Sequence, residues 1–371
     1  MEKVDVRRRA RRGRPARALL AAVLAALVVL AAGLAVLPGR SVASAAPDAV
    51  VPDPGGPLRV LVLGDSLSQG FAGDATWRYW FWREARRQGV DVDLVGPHSR
   101  PYLLLPSRVV SDQARYERPA LAFDTDHSAW AGSTIDMHLA QVDSLMTVYA
   151  PDVVVVELGI NDARHGQDGA SIAAELDDLL ARVWRRAPRV SVVLGQLPVH
   201  GTDPAVDAAA VAANEVLVAA HADDPRVSIA YLRNGWDHRK HSHDGLHANA
   251  TGQTLLAHRF AHAFHRAGLL PGKPRVFRQR QWRPRVAPRV RVVGRKVTVD
   301  WSAARRQVKI SAVRVFITRS DGQQKVRQRW IPADRNQLSR RLAPGTYRVR
   351  LVPRRGSMVG APALARTVRL R

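Results

Sequence analysis

From position 58 onward, short apolar runs alternate with longer stretches in which apolar residues recur every three or four positions. The runs fall at 58–63, 90–95, 153–158, 190–194 and 227–231, and the periodic stretches at 77–88, 135–149, 170–186, 206–220 and 249–267. Apolar runs of this length, bounded by turn residues, read as strands buried on both faces, and the periodic stretches read as amphipathic helices. Strands alternating with helices build a parallel sheet covered on each side. The expected fold over 58–270 is therefore α/β, a three-layer doubly wound parallel sheet.

The pattern changes after Gly268. Pro271, Pro274, Pro284 and Pro288 punctuate an Arg-rich stretch, so 271–288 reads as a linker. Beyond it, 289–293, 296–301, 308–318, 325–331, 346–352 and 365–370 alternate apolar with basic residues, as strands with one wet face do. Such strands predict a β-sandwich over 289–371. Within it, Leu342-Ala343-Pro344-Gly345-Thr346-Tyr347 followed by Arg348-Val349-Arg350-Leu351 resembles the tyrosine-corner strand of fibronectin type III domains, and Trp301 sits where their early core tryptophan would.

The N-terminus has a different logic. Seven arginines between Arg7 and Arg17 precede an uncharged apolar run over 18–38, long enough to span a bilayer, which needs about 20 apolar residues. Basic residues stay on the cytoplasmic side. This predicts a basic cytoplasmic segment over 1–17, a transmembrane anchor or signal peptide over 18–38, and a linker over 39–57. The remainder is expected outside the cell, single-pass in the cell membrane, or secreted if cut after Ala45 in the small-x-small sequence Ala43-Ser44-Ala45.

The net charge of +25 acquires meaning once it is located. Residues 273–371 hold 28 Lys and Arg against 3 acids, whereas 41–272 are mildly acidic. A basic sandwich outside the cell is expected either to meet an anionic cell-envelope polymer or lipid headgroups or to be a solvated surface with no specific partner; nucleic acid is not expected. Cysteine is absent, which excludes disulfides, thiolate zinc sites and a cysteine nucleophile. His238, His241, His243 and His247 cluster, but without a helical pair and a carboxylate at ligand spacing, so no metal and no cofactor are expected. All but His247 read as solvated loop histidines.

Four short motifs carry chemistry: Gly64-Asp65-Ser66-Leu67-Ser68 at the end of the first run, Trp130-Ala131-Gly132-Ser133, Gly159-Ile160-Asn161-Asp162 after the third run, and Asp244-Gly245-Leu246-His247 before the last helix. In this order they resemble the four blocks of SGNH (GDSL) hydrolases. That resemblance implies a flavodoxin-like SGNH fold, Ser66 as nucleophile, and an oxyanion hole from the Ser66 and Gly132 N–H groups and the Asn161 amide. A serine hydroxyl is a poor nucleophile until a base takes its proton; His247 is the natural base, and Asp244 would fix its tautomer. Asp65 and Asp162 read as residues that cap turns and hold loops.

Val90-Asp91-Val92-Asp93-Leu94-Val95-Gly96 and the segment from Asp126 to Ile135 are similar to blocks of carbohydrate acetylesterases of the acetyl xylan esterase type, although Ala129 replaces a glycine there and Gly132 is displaced by one position. The expected substrate is an acetyl ester on a polysaccharide. Lysophospholipase or thioesterase activity, or a surface-binding protein with an inactive hydrolase domain, stay open as alternatives. Trp77, Tyr79, Trp80 and Trp82 fit either an acyl or sugar site or helix packing. Because every candidate catalytic residue lies between Ser66 and His247, the C-terminal part is expected to be dispensable for hydrolysis of small soluble esters.

Overall fold

The computed structural model describes residues 56–371 apart from 106–107, 113, 118–121, 280, 324 and 328. The apolar run 18–38 and the cleavage sequence 43–45 lie outside the described residues. Among the described residues, no helix is long and apolar enough to cross a membrane.

All five expected strands of the α/β region form: β1 (Leu58–Gly64), β2 (Val92–Val95), β3 (Val153–Glu157), β4 (Ser191–Gly195) and β5 (Val227–Ala230). They are parallel, in the order β2-β1-β3-β4-β5. Successive side chains of a strand point to opposite faces. Accordingly Leu61, Leu63, Val154 and Val156 pack under the helices Gly169–Arg186 and Pro204–His221, while Val60, Val62, Val153 and Val155 pack under Trp77–Arg87 and Ala250–Arg266. The aromatic residues of the first of these helices serve packing: Trp77 is buried and stacks on Phe260 at 4.0 Å, and Trp80 joins the same core. The periodic stretch 135–149 is two helices, Ile135–Leu139 and Val142–Tyr149.

The strand order reverses at β1, with β2 on one side and β3 on the other. In an open parallel sheet the crevice outside the carboxyl ends at such a switch point is where ligands bind. Ser66 follows β1 and Asn161 follows β3, so the order of strands places both at that crevice.

The C-terminal strands form two antiparallel sheets, consistent with a β-sandwich. One contains Arg289–Val293, Lys296–Asp300 and Gln337–Arg341; the other is built on the long strand Gly345–Arg355 paired with Ala312–Arg319. Val297, Val299, Trp301, Val315, Tyr347 and Leu351 fill the space between them. The Tyr347 hydroxyl donates to the Ala343 carbonyl at 3.0 Å, and the Trp301 indole N–H donates to Ala333 at 3.0 Å, which satisfies both polar tips inside an apolar core. The strand Gln337–Arg341 was not visible as alternation, because its sequence QLSRR offers a single apolar residue.

Two expectations change. The stretch 271–288, expected as a linker, lies on the α/β region as a strap. Gly272 N–H donates to Gln88 Oε1 at 2.7 Å, Arg275 N–H to Glu84 Oε1 at 3.1 Å, and Arg283 N–H to Glu117 Oε1 at 2.6 Å. Trp282 is buried, with its indole N–H donating to Gly73 O at 2.9 Å.

The sandwich, in turn, is docked on the α/β region. Arg355, at the end of its strand, donates to both Asp74 oxygens at 2.8 and 2.9 Å and to Ala72 O at 2.9 Å, and both side chains of this ion pair are almost wholly excluded from solvent. The premise that the C-terminal part stands apart from the catalytic residues is therefore overturned.

Candidate active site

The segment after β1 turns at once into the short helix Ser66–Gln69, capped by Asp65, whose carboxylate accepts the Leu67 N–H at 2.8 Å. This sharp strand-to-helix turn holds Ser66 at the rim of the sheet. Some 180 residues later, the loop before the last helix is tightened by Asp244 Oδ1, which accepts the N–H of His247 at 2.8 Å. Only glycine fits the middle of that loop. Gly245 has φ +101°, and a Cβ there would stand 2.6 Å from Thr202 Cγ2.

These two local folds bring three predicted residues into one line. Ser66 Oγ lies 3.0 Å from His247 Nε2, and His247 Nδ1 lies 2.9 Å from Asp244 Oδ2. Burial pushes the Asp244 carboxyl up, but the hydrogen bond and charge of His247 outweigh it and hold the group well below the usual carboxylate range. Asp244 is thus an anion at any working pH, and an anion at Nδ1 keeps that nitrogen protonated and Nε2 free to accept from the serine.

The expected oxyanion donors are partly in place. Gly132 sits on an exposed turn with φ +89°, and neither its N–H nor that of Ser66 has an acceptor among the described residues. The Asn161 amide instead donates to Ser133 O at 2.9 Å and, at a longer 3.3 Å, to Asp65 Oδ2. Asp162 Oδ1 accepts the Ile135 N–H at 3.0 Å, tying the turn that carries Gly132 to the block that carries Asn161. A holding role for Asp65 and Asp162 matches these contacts.

Sequence reasoning passed over several neighbours. His243 is buried, not solvated: its ring stacks on His247 at 5.9 Å with an interplanar angle of 14°, and its Nδ1 is 3.5 Å from Asp244 Oδ2. Burial, followed by the charge of Arg355, pushes it down to about 2, so it stands as a neutral second imidazole beside the carboxylate. Phe71 puts its ring edge against His247 at 4.8 Å, and the Lys309 ammonium lies 4.0 Å over the same ring. No His, Asp or Glu group able to hold a metal occurs among the described residues.

Beside the turn that carries Ser66 lies a buried acid that no motif announced. Glu157, the last residue of β3, hydrogen-bonds to the Ser68 hydroxyl. Burial, then the nearby Asp65 charge, raises it from 4.5 to about 8, while burial raises Asp65 from 3.8 to about 7. The native chain therefore holds protons there that the unfolded chain has already lost. Stability is fully present below the ordinary carboxylate range and is lost as pH rises through about 7 to 8. Glu157→Gln should flatten that loss: melting temperatures at about pH 5.5 and about pH 8.5 should lie closer together than in the parent. An equal alkaline drop in the variant would place the titrating group elsewhere.

Residues 62–255 match the sequence profile of the GDSL-like Lipase/Acylhydrolase family. A multidomain esterase of Ruminococcus flavefaciens is 25% identical over 130 residues, a stretch amounting to 31% of this chain and 16% of that protein. Among solved structures, the chain is similar to a carbohydrate esterase family 3 protein from Talaromyces cellulolyticus (24% identity, TM-score 0.47, 56% of this chain and 97% of the other). It is also similar to a family 3 carbohydrate esterase of Clostridium thermocellum (21% identity, TM-score 0.47, 58% and 100%).

Proposed function

The chain belongs to the GDSL-like Lipase/Acylhydrolase family, its α/β region is a serine ester hydrolase domain of SGNH fold, and from that premise we propose that the whole protein is an exported esterase whose triad is Ser66, His247 and Asp244. The observation that carries the reading is the unbroken relay from Ser66 Oγ to His247 Nε2 at 3.0 Å and from His247 Nδ1 to Asp244 Oδ2 at 2.9 Å.

In the proposed reaction Ser66 Oγ attacks the ester carbonyl carbon as its proton passes to His247 Nε2, and Asp244 stabilises the imidazolium. The carbonyl oxygen becomes an oxyanion that takes the uncommitted N–H groups of Ser66 and Gly132. A third donor comes from Asn161, whose long contact to Asp65 is the weaker of its two and yields a hydrogen to the stronger acceptor. Hydrogen bonds of this kind often tighten only when substrate is bound. His247 then returns the proton to the departing alcohol, and water releases the acyl group by the same steps.

The acyl group is proposed to be acetyl and the alcohol a carbohydrate, a reading supported by the sequence block from Asp126 to Ile135, while the likeness to a multidomain esterase supports the ester bond alone. The test is a series of 4-nitrophenyl esters. Acetate should exceed palmitate in kcat/KM by at least about tenfold, since a site fitted to two carbons excludes a long chain. A palmitate preference would turn the assignment to a lipase.

A further inference from the structure

The docked sandwich does more than cover the α/β region. Between the two lies a cleft of about 790 Å³ that reaches Asp244 of the proposed triad and the neighbouring His243. One wall belongs to the α/β region through those residues and Leu103 and Leu104; the opposite wall belongs to the sandwich through Arg305, Arg306 and Lys309. Asp244 is the sole acid on the lining among the described residues, and its charge is engaged by His247.

The cations of the sandwich wall are uncommitted. Lys309 is half-buried, has no carboxylate within ion-pairing distance among the described residues, and rests on the Phe71 face at 4.0 Å. Arg305 has one neutral partner, Asn336 Oδ1 at 3.3 Å, and Arg306 is exposed. Arg355 on the same lining differs, because its guanidinium is spent on Asp74, Ala72 and the Lys309 carbonyl. Three like charges gathered in a concave site, where the one acid on the described lining is already engaged by His247, raise the local potential and favour an anion there. Lys309 links this wall to the triad, because the Phe71 ring beneath its ammonium also meets His247 edge-on at 4.8 Å.

We propose that this cleft binds the anionic part of the substrate's alcohol, so that the esters taken in are O-acylated acidic glycans bearing carboxylate or phosphate on a residue next to the acylated one. The proposal rests on the esterase reading and gives the sandwich a role in selecting substrate. Guanidinium pairs suit planar carboxylates and phosphate oxygens alike, so the shared chemistry is an oxyanion on a sugar chain.

The test uses the full chain and two readouts. Calorimetric titration with unacetylated oligogalacturonide, with a glycerol-phosphate oligomer and with neutral xylo-oligosaccharide reads the cleft without any turnover. At least one charged oligomer should bind at least about tenfold tighter than the neutral one and weaken with added salt, and the tighter of the two identifies the anion. The exposed substitution Arg306→Glu and the triple substitution Arg305→Gln/Arg306→Gln/Lys309→Gln should each abolish that preference. Hydrolysis of O-acetylated oligogalacturonide should likewise exceed that of O-acetylated xylo-oligosaccharide, with the ratio falling towards unity in both variants. Equal binding of charged and neutral oligomers, or a preference that survives both variants, overturns the cleft. Loss of all ester hydrolysis alongside intact charged-oligomer binding would instead overturn the esterase reading and leave the cleft standing.

Discussion

Ser66→Ala is expected to lower kcat for any hydrolysed ester by about 10⁴-fold or more, with little change in melting temperature. The expectation follows from the geometry: the hydroxyl's partner is His247 Nε2 at 3.0 Å, and the removed oxygen anchors no part of the core. Members of such a relay act as a unit, so His247→Ala should cost about as much, and the double variant little more than either alone. Progress curves at high enzyme concentration with 4-nitrophenyl acetate read the loss directly. Retention of a tenth of the parent rate by Ser66→Ala would assign the nucleophile to another residue.

Arg355→Met should destabilise the protein by about 3 to 5 kcal/mol, the range for breaking a buried ion pair from one side. Asp74 is left with its carboxylate excluded from water and without its bidentate partner. The effect should be visible in urea unfolding as a lower midpoint, and Asp74→Asn in the same chain should recover part of it, because the neutral amide removes the stranded charge. Additive losses in the double variant would mean that the two residues do not act as a pair. Hydrolysis should weaken along with stability, since Arg355 lies 5.1 Å from the Phe71 ring that braces His247. Removal of residues 273–371 strips away the strap and this ion pair together, so the α/β region is not expected to keep its activity in isolation.

What was legible in the sequence was local. Gly64 to Ser68 and Asp244 to His247 could be read because a nucleophile on a tight turn and an acid three residues before its histidine need particular neighbours in the chain. The β1 and β3 runs could be read because a strand buried on both faces has little room for a polar residue. Glu157 escaped because it lies inside such a run, between Val156 and Leu158, and belongs to no motif, although it is buried with the Ser68 hydroxyl as its partner. His243 escaped for the opposite reason: a histidine in a polar loop reads as solvated unless one knows that Phe71 and the sandwich cover it.

Asp74, Lys309 and Arg355 carry no local signal at all, since each is an ordinary charged residue until chain segments far apart are laid together. The strap was read as a linker without helix, and its docking stayed hidden because the proline pattern that rules out a helix says nothing about Glu84 and Glu117 waiting for its N–H groups.

The Arg355 to Asp74 contact also sets a schedule. Its partners are 281 residues apart, so the ordering cost of bringing them together falls late and the contact closes only after both halves have taken shape. A chain emerging from its N-terminus presents Ser66, Asp244 and His247 well before it presents Arg355. Through that interval Asp74 has no counter-ion and the wall opposite Asp244 does not exist, so the newborn hydrolase domain waits for the segment around Arg355 before its cleft is complete.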